Sequence, residues 1–153
     1  MYCIPTVLAV ESTMVLLSIL GCDELPEGWG TAERAVDTES ECHDEPVGDD
    51  FPSLEGFIYQ GGAEITITDV EVDCAQATEA YWKAGDTDLD VDILIQPEAE
   101  SADADAECGC YRTIDVLLNT TTIETATVYS RRDRTSVPTR LGKTRVTWNP
   151  LAR

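Results

Sequence analysis

Leu89-Asp90-Val91-Asp92-Ile93-Leu94-Ile95-Gln96-Pro97 is the stretch on which the fold turns. Leu89, Val91, Ile93 and Ile95 recur with a period of two, so an extended chain puts all four on one face. The aspartates between them face the other way. Pro97 ends the run, because it has no N–H to give to a ladder. A strand with one apolar and one acidic face belongs to a β-domain that buries one side.

The same texture continues on both sides. Glu64 to Val72 alternates with Ile65 and Ile67 on one face, then shifts phase to Val70, Val72 and Cys74. A phase change inside a strand predicts a bulge near Thr68-Asp69, and Gln60-Gly61-Gly62 is the turn before it. Thr78 to Ala84 reads as a strand turning through Ala84-Gly85-Asp86-Thr87. Cys110, Ile114, Val116 and Leu118 line the next strand, and Asn119-Thr120-Thr121 turns it. That turn also carries an N-glycosylation acceptor pattern, which matters only in a eukaryotic host. Ile123 to Tyr129 is β-prone, and Thr144 to Trp148 adds a last strand. The expected fold is all-β, a small antiparallel β-sandwich of six or seven strands over 51–148. Ile65, Ile67, Val91, Ile93, Ile95, Ile114, Val116 and Leu118 are the expected core.

Before that domain, 23–50 holds 11 acids, one base and no sustained apolar period. Such composition buries too little surface to offset ordering entropy, so the segment reads as an acidic disordered tether, with Trp29 exposed or loosely docked. Residues 149–153 read as a tail.

The chain has 153 residues and a net charge of −20. Residues 1–130 hold 29 acids and three bases; residues 131–153 hold seven bases and one acid. An acidic surface excludes nucleic acid as a partner, since phosphates require basic contacts. It also argues against docking on anionic lipid through charge. The basic end reads as a last strand lying on the acidic domain, as a functional basic arm, or as the product of a frameshift.

Met14-Val15-Leu16-Leu17-Ser18-Ile19-Leu20-Gly21-Cys22 is an apolar run that stops at a cysteine. It resembles the signal peptide of a bacterial lipoprotein, cut before the cysteine that receives the lipid. The resemblance covers residues 1–22 alone. It implies a signal peptide over 1–21, lipidation at Cys22, and a protein anchored by lipid on the extracytoplasmic side of the cell envelope. Several acyl chains on one cysteine suffice for stable anchoring.

With Cys3 in the signal and Cys22 acylated, Cys42, Cys74, Cys108 and Cys110 remain. An even number in an exported domain suggests two disulfides. A Cys108–Cys110 bridge would be strained, which leaves Cys42 and Cys74 to pair with Cys108 and Cys110, one each. Zinc is the rival for these thiols together with His43, but no C-x₂₋₄-C knuckle is present.

Asp86-Thr87-Asp88-Leu89-Asp90-Val91-Asp92 is the one dense acidic constellation. Asp86 and Asp88, near the turn, are the pair able to converge on Ca²⁺. Val91 and Pro97 occupy the positions where an EF-hand loop needs Gly and Glu, and same-face strand residues lie nearly 7 Å apart. A solvated face that discourages edge pairing explains the same residues. No other cofactor is implied. One histidine and no nucleophile elbow argue against an enzyme; a carboxylate-dependent hydrolase and a Ca²⁺-binding adhesion-type module are the alternatives. The preferred function is a binding or structural β-domain for an unknown extracytoplasmic protein or glycan.

Overall fold

The computed structural model describes residues 25–49, 52–74, 76–99 and 109–149. The strands are β1 (Glu33–Arg34), β2 (Val36–Glu39), β3 (Ser53–Tyr59), β4 (Gly62–Asp73), β5 (Thr78–Ala84), β6 (Asp90–Pro97), β7 (Gly109–Leu118), β8 (Thr125–Ser130) and β9 (Thr139–Trp148). They form one nearly closed sheet in the order β1-β5-β6-β8-β9-β3-β4-β7-β2. The all-β expectation is met. Among the described residues there are nine strands rather than six or seven, and two pairings, β6/β8 and β3/β9, are parallel. A purely antiparallel sheet is therefore not what the chain builds.

Closure comes from two places where one run of chain serves both halves of the sheet. The first part of β9 pairs with β8 through Thr139–Arg145, and its end pairs with β3 through Val146–Trp148. Gly142 lies where β9 leans across: a Cβ there would stand 2.7 Å from Leu54 Cδ1. On the opposite side, β1 pairs with β5 and the adjoining β2 pairs with β7.

That second crossing corrects the reading of 23–50 as a tether. Glu33–Arg34 and Val36–Glu39 are strand, and His43 adds a bridge to Tyr111. Backbone pairing needs no apolar period, so a hydrophobicity pattern could not reveal it. Trp29 is buried against Tyr81 and Leu94, with its ring 5.7 Å from Tyr129 in an edge-to-face contact. Lys83 Nζ lies 4.6 Å from the Trp29 ring centroid and donates to the Gly28 carbonyl at 2.8 Å. The segment is a strap: it covers the outer side of β5, β6 and β8, then closes the sheet.

The eight residues expected in the core are all buried, from 0% to 2% exposed. They pack with Val70, Ala80, Ala126, Val128 and Val146 between the two halves of the sheet. Leu89 is the exception on the 89–95 face: it lies in the turn before β6 and is 45% exposed. The bulge is where the phase change puts it, between Ile67 and Val70. Asp69 takes φ 61° there and is 4% exposed. Its two carboxylate oxygens accept the Val47 and Gly48 N–H groups, each at 2.9 Å. A short polar residue tolerates the left-handed region better than most, and here the bulge ties the strap's end to β4.

Candidate functional site

The polar chemistry gathers at the end of the fold where β4, β6 and β8 finish and β7 and β9 begin. Its first part grows out of the pairing of β5 with β6. Glu79 and Gln96 are cross-strand neighbours on the outward face, yet are 2% and 0% exposed. What covers them is the β8–β9 loop. Gln96 Nε2 donates to Glu79 Oε1 at 2.7 Å, and Arg134 Nη1 donates to the same oxygen at 2.6 Å. Arg131 Nε donates to Gln96 Oε1 at 2.8 Å. Arg131 also donates to the Arg134 carbonyl, and Arg134 to the Pro97 carbonyl. Arg34 of the strap reaches Glu79 Oε2 at 3.7 Å. A buried carboxylate costs free energy unless such partners satisfy it. The network fastens loop and strap to the sheet.

The second part lies at the seam between β2, β5 and β7. Arg112 occupies the inward face of β7, between Cys110 and Ile114. It is paired with Glu39 and donates to the Gln76 and Cys74 carbonyls at 3.0 and 3.2 Å. Glu39 in turn accepts the Thr78 N–H and hydroxyl through Oε1, both at 2.5 Å. Asp37, two residues earlier, accepts a backbone hydrogen bond from Ala80. Its carboxyl titrates above the ordinary aspartate value, chiefly because it is buried and then because Glu39 is close. Acidic side chains of the strap thus take over β5 backbone donors where the strap leaves for β7.

Between these parts opens a cavity of about 410 Å³. Val70, Val72, Ile95 and Leu141 give it apolar walls, and Asp69 and Gln96 are among its polar ones. Its volume falls within the usual range for small-ligand sites.

The structure brings together only some of the residues singled out from sequence. Cys42 is bonded to Cys110, one of the pairings expected. Cys74 is disulfide-bonded as well. Cys108, Cys22, the expected signal over 1–21 and residues 150–153 lie outside the described residues. Asp86 and Asp88 are both exposed in the β5–β6 turn. Among the described residues no group of three or more His, Cys, Asp or Glu is placed to hold a metal ion. The other two aspartates of that constellation are engaged with neighbours. Asp90 accepts from Thr125 and from Thr87 (2.8 Å) and faces Lys143 at 3.4 Å; these contacts hold its carboxyl below the ordinary value. Asp92 is raised by partial burial, against the pull of Lys83.

Sequence reasoning missed Glu39, Glu79, Gln96, Arg112, Arg131 and Arg134. Two signals were readable. Arg112 interrupts the apolar face of its strand, and Arg131-Arg132-Asp133-Arg134 is an abrupt basic cluster in an acidic chain. A buried counter-charge is the physical meaning of both.

No protein-family model matches the chain, and neither does any curated protein or solved structure.

Proposed function

We propose that this protein is a cell-envelope lipoprotein, acylated on Cys22 and held by that lipid on the extracytoplasmic side of the membrane. Its strands form a disulfide-braced, sandwich-like domain that binds a protein or glycan ligand and performs no catalysis. The observation that carries the reading is the Cys42–Cys110 disulfide, 20 residues beyond an apolar run that stops at a cysteine. Disulfides persist in oxidising compartments, which is where a lipoprotein signal delivers its cargo.

Two features support the details. Asp73 and Gly109 are partners in the β4–β7 ladder; Cys74 follows the one and Cys108 precedes the other in sequence, which supports a second bridge between the two cysteines. The cavity at the polar end has apolar walls and fixed polar groups, as ligand sites commonly do. The acidic spacer is replaced by a short link: Leu25 already packs on the strap's apolar cluster. Three residues from Cys22 to Leu25 span at most about 11 Å, so the domain stands close to the bilayer.

Intact mass of the membrane-fraction protein, with and without reduction, tests this. A chain starting at Cys22 with acyl chains, gaining four protons on reduction, is the expected result. An unacylated chain that retains residues 1–21 and free thiols overturns it.

A further inference from the structure

The strap and the basic strand share one face of the molecule. Paired residues on neighbouring strands point to the same side. In the β8–β9 ladder, Thr125 is opposite Arg145, Thr127 opposite Lys143 and Tyr129 opposite Arg140. Ala126 and Val128 point into the core, so Thr125, Thr127 and Tyr129 point outward, and Arg140, Lys143 and Arg145 with them. Tyr129 also touches Trp29 of the strap. The exposed basic residues of β9 therefore stand one strand away from the segment that leads back to Cys22.

The charges on this face are unevenly matched. Asp90 is engaged by Lys143 at 3.4 Å and Asp92 by Lys83 at 4.0 Å. Arg140 and Arg145 are exposed and make no ion pair among the described residues. With Glu27 of the strap counted, bases still outnumber acids here, in a chain where acids outnumber bases 30 to 10. The opposite outer face presents Glu55, Glu64 and Asp115. The two halves of a packed sheet are about 10 Å apart, roughly one Debye length at physiological salt. A surface meeting the β9 face is thus nearer its arginines than the acids behind them, whose field the ions around the domain weaken at that salt.

We infer that the outer face of β9, through Arg140 and Arg145, docks on anionic phospholipid headgroups and orients the domain on its membrane. The position of the face rests on lipidation at Cys22; the charge preference does not, and the two fail separately. A net acidic protein thereby turns its acidic half toward other partners. The net charge of −20 opposes anionic lipid on average, but the exposed arginines of β9 meet it locally.

The test is flotation of the full chain carrying Cys22→Ser with vesicles of phosphatidylglycerol and phosphatidylcholine, or of phosphatidylcholine alone. Roughly tenfold more protein should float with the anionic vesicles at about 0.15 M salt, and the excess should vanish in about 0.5 M salt. Arg140→Glu/Arg145→Glu should abolish the excess, while Arg140→Lys/Arg145→Lys keeps it. Equal flotation with both vesicle types overturns the inference, as would an excess that survives the glutamates. Should the glutamates misfold the chain, Arg140→Gln/Arg145→Gln provides the same comparison. A dimer seen by light scattering without vesicles, and lost in the glutamate variant while lipid binding is unaffected, assigns the face to a second copy instead and also overturns it. Acylation is read independently from the mass of the unmutated protein.

Discussion

Glu39 of β2 and Arg112 of β7 form an ion pair across the seam that closes the sheet, and their side chains are only 17% and 13% exposed. Neither β2 nor the β7 edge would be joined so firmly by backbone alone. Truncating one member leaves the other charge largely buried without its partner, which typically costs 3–5 kcal/mol. Glu39→Ala should lower the unfolding free energy by about 3 kcal/mol in urea titration. A loss under about 1 kcal/mol is the cost of a surface pair and would show the seam to be solvated.

The disulfide restrains the same strap. Cys42 and Cys110 are 68 residues apart, and in the chain-entropy account closing such a loop is worth about 4 kcal/mol. Cys42→Ser/Cys110→Ser should therefore melt well below the wild type, and reducing agent should lower the wild-type melting temperature. An unchanged melt would mean that the strap is held by its pairing and polar contacts alone.

Trp29 anchors the other end of the strap at 6% exposure. Removing a buried aromatic commonly costs 3–5 kcal/mol. Trp29→Ala should approach that loss and should increase amide exchange over 25–34, with less effect on β4 and β7. Loss of stability without local exchange would place the effect in the whole core rather than the strap.

Acid should act on two aspartates in opposite directions. Asp37 titrates above the ordinary value near 3.9. Its contribution is therefore greatest below that value and is lost as pH rises through its folded pKa. Asp90 titrates below it, so its contribution is present above the ordinary value and lost as pH falls through the folded pKa. Stability measured from pH 2 to 7 should rise less steeply with pH in Asp90→Asn than in wild type, and more steeply in Asp37→Asn. The opposite ordering would refute the environments described for both carboxyls.

Gly62 begins β4 with no room for a side chain: a Cβ would stand 2.2 Å from the Leu118 carbonyl oxygen. Gly62→Ala should cost roughly 3 kcal/mol and disturb the β3–β4 turn, a loss typical of forced overpacking. A neutral substitution, read by thermal melting, would show that the β7 end yields easily.

The core strands were legible from composition and spacing because alternation is a property of neighbours in the chain. Val91, Ile93 and Ile95 must share a face wherever the strand lies, and Ile67 followed by Val70 must break the register. Glu33 to Glu39 carries no such mark. Its place is set by backbone groups that find partners on β5 and β7, and by Asp37 and Glu39 reaching donors that are remote in sequence. Local order thus follows from the period of the residues, and so do the core strands. The closure of the sheet, the Cys42–Cys110 bridge, the burial of Glu79 and the basic face of β9 depend on residues tens of positions apart. Only the folded chain brings those together, since hydrogen bonds and ion pairs form between groups close in space, whatever their separation in sequence.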